Sequence, residues 1–295
     1  MNISHILDES RRLLVERYVF PAVGGKIAAL LADREAAGRY RDVTDAAELG
    51  KLVTDDLQSV NQDKHLRLRY HEEEVPDLPS EAMMLAMARR DADRSMNGVG
   101  GVELLEGNVA VLRLGLLFPP SISGEAVAAA MTLVATADAL VLDLRECSGG
   151  DPDMVALVCS YLFDERVHLN DMYDREGDRT TPSWTQPYVP GRRFGVGKPV
   201  CVLTSSRTFS GGEELSYDLQ QLGRATIVGE RTGGGAHPRI GVRLHPHLEL
   251  TVPTGRAINP VSGTNWEGTG VEPDVAVSAE EALDAALEKL RISAV

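Results

Sequence analysis

Ser210 stands in the run TSSRTFSGGEEL, residues 204–215, between an apolar strand-like segment and an amphipathic helix-like one. A serine before two glycines at such a corner admits two roles. Ser210-Gly211-Gly212-Glu213 fits the S-x-x-E capping box, in which a serine closes a helix N-terminus. The same corner suits a nucleophile, because Gly211 and Gly212 leave the helix-terminal amides open to an anion. Leu144-Arg145-Glu146-Cys147-Ser148-Gly149-Gly150 repeats the strand-then-glycines arrangement one βα unit earlier. In a parallel sheet both corners lie at the same C-terminal strand edge. Amides of Gly211 and of Gly149 or Gly150 can then converge on one oxygen, as an oxyanion hole requires. Taken alone, Gly149-Gly150 equally suits a tight βα turn.

A nucleophilic serine needs a base. Among the lysines, Lys26 and Lys51 fall in a helical N-terminal region and Lys289 in a terminal helix, so histidine is the better candidate. His65, His168, His237, His245 and His247 are available: His65 opens a strand in NQDKHLRLRY, and His237 follows the glycine-rich GERTGGG. The group that orients the base is an acid. Glu267, in NPVSGTNWEGTGVEPD, lies beside Trp266, whose ring suggests that the loop packs down. For each histidine and for Glu267, a solvated or merely structural residue is the alternative. No CxxC or HExxH spacing occurs, so neither a metal site nor a cofactor is expected.

The elements that must position these residues follow from periodicity. Ile3, Ile6, Leu7, Leu13, Leu14 and Tyr18 recur at helical steps. A second helical run covers 27–31 and ends near Gly38. Asp45-Ala46-Ala47-Glu48 reads as a capping box for a third helix through Leu57. Leu66, Leu68 and Tyr70 then alternate with Arg67 and Arg69, as in a half-buried strand. From Val109 the chain alternates strand and helix: strands at 109–114, 139–144, 199–203 and 225–229, helices at 125–137, after Gly150 through Phe163, and at 211–222. The apolar run 139–144 suits a strand covered on both faces, and the alternation predicts a parallel core with crossover helices. A further strand is expected at 248–252 and a C-terminal helix at 280–290, while 165–198, rich in Asp, Arg, Pro and Gly, reads as a long irregular insertion.

The 295 residues suggest about two domains: an N-terminal helical domain over 1–75, a linker over 76–107 and a core domain over 108–295. A net charge of −14 argues against nucleic acid or an anionic membrane surface as the main partner. No run of about 18 apolar residues predicts a membrane span, and the charged N-terminus lacks the pattern of a secretory signal. Cys147, Cys159 and Cys201 lie in or beside apolar runs and read as buried thiols, which fits a reducing cytoplasm. Nothing indicates the oligomeric state.

Together these motifs resemble peptidase family S41, the C-terminal-processing and tricorn-type serine proteases, and are most similar to the modules of interphotoreceptor retinoid-binding protein and their bacterial relatives. The resemblance rests on DKHLRL, LVLDLRECSGG, TSSRTFSGGEEL, LGRATIVGERTGGGAHP and PTGRAINPVSGTNWEGTGVEPD, and it covers most of the chain. It implies an α/β fold: an N-terminal helical bundle, then a crotonase-like ββα-spiral core, with no PDZ domain because the segment between His65 and Val109 is too short for one. It places the nucleophile at Ser210. The lysine base of the processing branch would lie 25 positions later, where this chain has Gly235, so the Ser-Lys dyad is absent. In the tricorn branch a histidine ending the N-terminal region is the base, and a glutamate before a Gly-Val-x-Pro-Asp segment orients the constellation. Those positions match His65 and Glu267. A serine precedes that histidine in the tricorn branch; Lys64 stands here, an auxiliary position together with His237. The resemblance also implies oxyanion donors at the Gly211 amide and at that of Gly149 or Gly150.

The expected function is therefore a serine hydrolase, a peptidase that uses Ser210, His65 and Glu267 on a peptide or small acyl substrate. The alternatives are a non-catalytic binding module for an apolar small molecule, retinoid- or fatty-acid-like, and an esterase or acyl-transfer enzyme acting on a small metabolite. A pure binder has no need to keep serine, histidine and glutamate together, which favours catalysis.

Overall fold

The computed structural model describes residues 1–76 and 81–293. Residues 77–80, within the expected linker, lie outside them. The chain divides into two compact units. One comprises Met1–Ala82, Met172–Thr181 and His237–Ala257; the other comprises Met83–Asp171, Pro182–Ala236 and Ile258–Val295.

The first unit opens with three helices, α1 (Ile3–Arg17), α2 (Pro21–Ala36) and α3 (Ala46–Gln58). Asn2 caps α1 by accepting from the His5 amide, and Asp45 caps α3 by accepting from the Glu48 amide. Pro21 begins α2, where its missing N–H costs nothing. Gly24 of α2 sits against the Leu14 carbonyl, and a Cβ there would lie only 2.4 Å from that oxygen. The helices pack on a three-stranded antiparallel sheet of order β1-β10-β9: β1 (Arg67–Tyr70), β10 (Leu248–Pro253) and β9 (Arg239–His245). Leu68 faces Leu250 in its register. Leu7, Leu14, Leu31, Leu57, Leu68 and Leu250 share one core. The sheet strands β9 and β10 come from far along the chain, so the helical bundle expected from the N-terminal sequence closes on strands that local patterning could not assign to it.

The second unit contains most of α4 (Glu81–Arg94), followed by a 3₁₀ turn at Met96–Gly98 and β2 (Val99–Leu105). A βα alternation then runs through β3 (Val109–Leu114), α5 (Pro120–Val134), β4 (Ala139–Asp143) and α6 (Pro152–Ser160). It resumes with β7 (Val200–Thr204), α7 (Gly211–Gln221) and β8 (Thr226–Gly229), and ends with β12 (Val275–Ala276) and α8 (Ala282–Ser293). The six-stranded sheet has the order β12-β8-β7-β4-β3-β2. Its β3–β4, β4–β7, β7–β8 and β8–β12 pairs are parallel, and β2 joins antiparallel at the edge. Every residue of β4 and β7 is buried. Leu140 and Leu142 of β4 face one core, with Met131, Val155 and Leu215, while Val141 faces a second with Leu203 and Ala286. This accounts for the continuous apolar run. Truncation of such a buried Leu to Ala costs about 2–5 kcal/mol.

The chain passes between the units within β5 (His168–Asp174), β6 (Arg179–Trp184) and β11 (Gly255–Ile258). β5 and β6 correct the expectation of an irregular insertion over 165–198. Both strands are polar, HLNDMYD and RTTPSW, and lack the alternation that marks a half-buried strand; pairing partners, not periodicity, make them strands. Among the described residues, no helix is long and apolar enough to cross a membrane.

Candidate active site

Ser210 is the last residue of the 205–210 turn between β7 and α7, immediately before α7. Its backbone has φ +51° and ψ −118°, a conformation that glycine adopts freely and serine rarely does. The corner is enforced from several sides. Thr208 Oγ1 donates to the Leu144 carbonyl, Phe209 N donates to the Cys147 carbonyl at 3.0 Å, and Ser205 Oγ donates to the Arg145 carbonyl. The β7–α7 corner is thereby stitched to the β4–α6 corner, which lies beside it because β4 and β7 are parallel neighbours.

The glycines of the two corners touch. A Cβ on Gly149 would lie 2.9 Å from Ser210 Cβ, and one on Gly211 would lie 2.9 Å from the Gly150 carbonyl oxygen. Gly149 and Gly150 have φ of +125° and +138°, and a Cβ on Gly150 would strike the Leu117 backbone at 2.1 Å. These positions admit no side chain. The Gly149 carbonyl accepts from the Leu117 amide and the Leu117 carbonyl from the Asp151 amide, which fixes the loop. Among the described residues, none accepts a hydrogen bond from the amide of Gly149, Gly150 or Gly211. Unspent amides next to a helix N-terminus suit an anionic oxygen.

Glu213, in the first turn of α7, is fully buried. Its carboxylate accepts from the Ser210 amide at 2.9 Å, the Gly234 amide at 2.7 Å, the Gly235 amide at 2.8 Å and the Thr232 hydroxyl. Burial raises its pKa, and these donors oppose the shift. Glu267 accepts from the Ala236 amide at 2.6 Å. Trp266 is buried against Tyr217 and donates from Nε1 to the Gly235 carbonyl, so the Trp266 loop does pack down. The loop 232–236 is thus held by Glu213 and Glu267 together. Gly235, where the processing branch would carry lysine, spends its amide on Glu213.

Lys64, His65 and His237 belong to the other unit. His65 is buried, and burial pushes its imidazole down to about 4, with Asp63 opposing. The ring is therefore neutral at neutral pH, the form a base requires. Asp63 organises the surroundings, accepting from the His65 amide at 3.0 Å, the Tyr18 hydroxyl at 2.8 Å and His237 Nδ1 at 2.9 Å. Burial raises the pKa of this carboxyl, but the His237 bond and charge and the other donors outweigh it, and the net shift is downward. The carbonyl of Lys64 accepts from Arg67. His168 pairs with Asp171, and His247 binds the His71 carbonyl. Neither Asp63 nor the full reach of Glu213 was legible beforehand. The only sequence signals were an aspartate two positions before His65 and the S-x-x-E spacing.

The three cysteines are buried thiols. Burial pushes Cys147 and Cys201 up to about 11 and Cys159 well above its ordinary value, so none is poised as a nucleophile.

Residues 113–277 match the profile of peptidase family S41, and residues 1–96 match the N-terminal domain of that family in eukaryotic IRBP. A carboxy-terminal-processing protease of Bartonella bacilliformis is 29% identical over 143 residues, covering 46% of this chain. The match spans only 30% of that relative's length. The structure resembles the photosystem II D1 C-terminal processing protease, with TM-score 0.58, 17% identity and coverage of 98% and 97% of the two chains. It also resembles the tricorn protease, with TM-score 0.59, 15% identity and coverage of 98% of this chain and 37% of that one. At these identities the structural likenesses concern the fold, a mixed α/β architecture around a central mixed sheet.

Proposed function

Because the chain belongs to peptidase family S41, we propose that it is a serine hydrolase that cleaves peptide bonds, with Ser210 as nucleophile. The observation that carries this reading is the Ser210 corner: a serine held at positive φ, packed on Gly149, with unspent amides at Gly149, Gly150 and Gly211 beside it. In this reading Ser210 Oγ bonds to the substrate carbonyl carbon, and the carbonyl oxygen becomes an oxyanion received by the Gly211 amide and by that of Gly149 or Gly150. Each such donor is typically worth ~10²–10³ in rate.

His65 is the proposed base. It takes the Ser210 proton and returns it to the leaving amine as the C–N bond breaks; water then releases the acyl group by the same route. Its neutral imidazole supports this role. Glu267 is the proposed supporting acid, with Lys64 and His237 as auxiliary groups. The crotonase-like ββα spiral, the lack of a PDZ insertion and a cytoplasmic location belong to the same proposal.

The test is labelling of the purified protein with a fluorophosphonate serine probe, alongside Ser210→Ala and His65→Ala. Labelling of the wild type that disappears in both variants is expected. A wild type that does not label, or a Ser210→Ala protein that does, overturns the assignment.

A further inference from the structure

A cavity of about 390 Å³ opens beside α6, within the size range of ligand sites. One wall is Asp153 in the first turn of α6; the other comes from Arg166 and the segment 182–187. All these residues belong to the unit that carries Ser210. Trp184 is clamped in place. The His168 ring stacks on it at 4.5 Å with an interplanar angle of 12°, and Asp171 holds His168 through Nε2 at 2.8 Å. The Arg166 guanidinium carbon lies 4.7 Å from the Trp184 ring centroid. This cation–π contact orients the guanidinium and uses none of its N–H donors. Among the described residues, Arg166 has no ion pair or hydrogen bond. Ser183 and Gln186 add a hydroxyl and an amide to the same wall. Donors dominate the cavity, with Asp153 the one acid.

The Asp153 side of the cavity is near the proposed oxyanion site along the chain. Asp153 is three residues beyond Gly150, so at most about 11 Å of chain separates them. An extended peptide covers that distance in about three residues.

We propose that this cavity is a carboxylate-binding subsite centred on Arg166, so that favoured peptides carry an acidic side chain a few residues from the cleaved bond. The proposal rests on the hydrolase reading above and specifies its substrate class. A planar guanidinium presented edge-on binds a carboxylate through two parallel hydrogen bonds, which an ammonium cannot reproduce.

Fluorescein-labelled hexapeptides test this by polarisation on the Ser210→Ala protein, where no cleavage confuses binding. One peptide carries a single Glu and an amidated C-terminus; two others replace Glu by Gln or Lys; a fourth is the Gln peptide with a free C-terminus. The Glu peptide is expected to bind about tenfold tighter than the Gln amide. A gain from the free C-terminus with none from Glu overturns the side-chain reading. The gain should vanish in Arg166→Ala, shrink in Arg166→Lys and turn into a preference for Lys in Arg166→Glu. Binding of all four peptides within twofold of one another, or a gain that survives Arg166→Ala, overturns the proposal. Fluorophosphonate labelling of the wild type, run in parallel, judges the hydrolase reading separately.

Discussion

The Ser210 amide donates to the Glu213 carboxylate at 2.9 Å, and the same carboxylate gathers the amides of Gly234 and Gly235 and the Thr232 hydroxyl. One buried side chain therefore sets both the serine corner and the loop that Glu267 holds from its other end. Glu213→Ala leaves four donors without their acceptor. An unmade buried hydrogen bond costs ~1–3 kcal/mol, so a loss of at least about 3 kcal/mol is expected in urea unfolding. Glu213→Gln keeps the volume but turns an NH₂ toward one of the donors, and it should slow fluorophosphonate labelling even where the protein is folded. Wild-type stability and labelling in Glu213→Gln would show that the carboxylate does not position Ser210.

The backbone of Ser210 stores strain that glycine would release. Residues held in such regions cost of order 1–3 kcal/mol, and glycine bears little of it. Ser210→Gly is therefore expected to be about 1 kcal/mol more stable than Ser210→Ala, which keeps a Cβ at φ +51°. Neither variant should label. Equal stability of the two would mean that the corner is not strained.

Much of this architecture was written locally. The apolar runs at 139–144 and 200–204 became buried parallel neighbours, and the two glycine corners came together because parallel strands end at one edge. Asp45-Ala46-Ala47-Glu48 did open a helix, with Asp45 as its cap. What was not legible depends on partners distant in sequence. Asp63 and His237 are 174 positions apart, and β10 pairs back to β1 across a similar interval, carrying β9 on its other edge. β5 and β6 lacked any periodic signal. Arg166 and Trp184 lie 18 positions apart within the stretch 165–198, and the cation–π contact between them comes from the fold and not from any local pattern.

The buried imidazole of His65 makes stability fall in acid. Its folded value of about 4 lies below the ordinary 6.5. Between these values the unfolded chain binds a proton that the folded chain refuses, so stability rises with pH across that window. The contribution is complete above about pH 6.5 and is lost as pH falls toward 4. At 1.36 kcal/mol per pKa unit it amounts to roughly 3 kcal/mol at most. Urea unfolding at pH 4.5 and 7 should show a smaller rise, or a larger fall, in stability with pH for His65→Gln than for the wild type. An equal slope in the variant would place the acid sensitivity elsewhere.

Glu214 and Asp218 give the opposite slope. They lie one turn apart on the same face of α7 and are both buried. Burial, with the charges of Asp151 and Asp153 adding to it, pushes Glu214 up to about 7. Burial and the neighbouring Glu214 push Asp218 well above its ordinary value, and Asn259 Nδ2, donating to Asp218 at 3.1 Å, opposes only part of this. Two carboxyls so close and so dry do not both ionise cheaply. Above the ordinary carboxylate range the folded chain keeps protons that the unfolded chain has released, so stability falls as pH rises through about 7. Between about pH 4.5 and 7 the Glu214 contribution should lower the melting temperature as pH rises, and Glu214→Gln, neutral throughout, should remove that part of the decline. Because α7 begins at the serine corner, Glu214→Gln should also preserve more of the labelling rate at pH 8.5 than the wild type keeps. A pH dependence of the melting temperature unchanged by Glu214→Gln and by Asp218→Asn would show that the pair is not what loosens the helix.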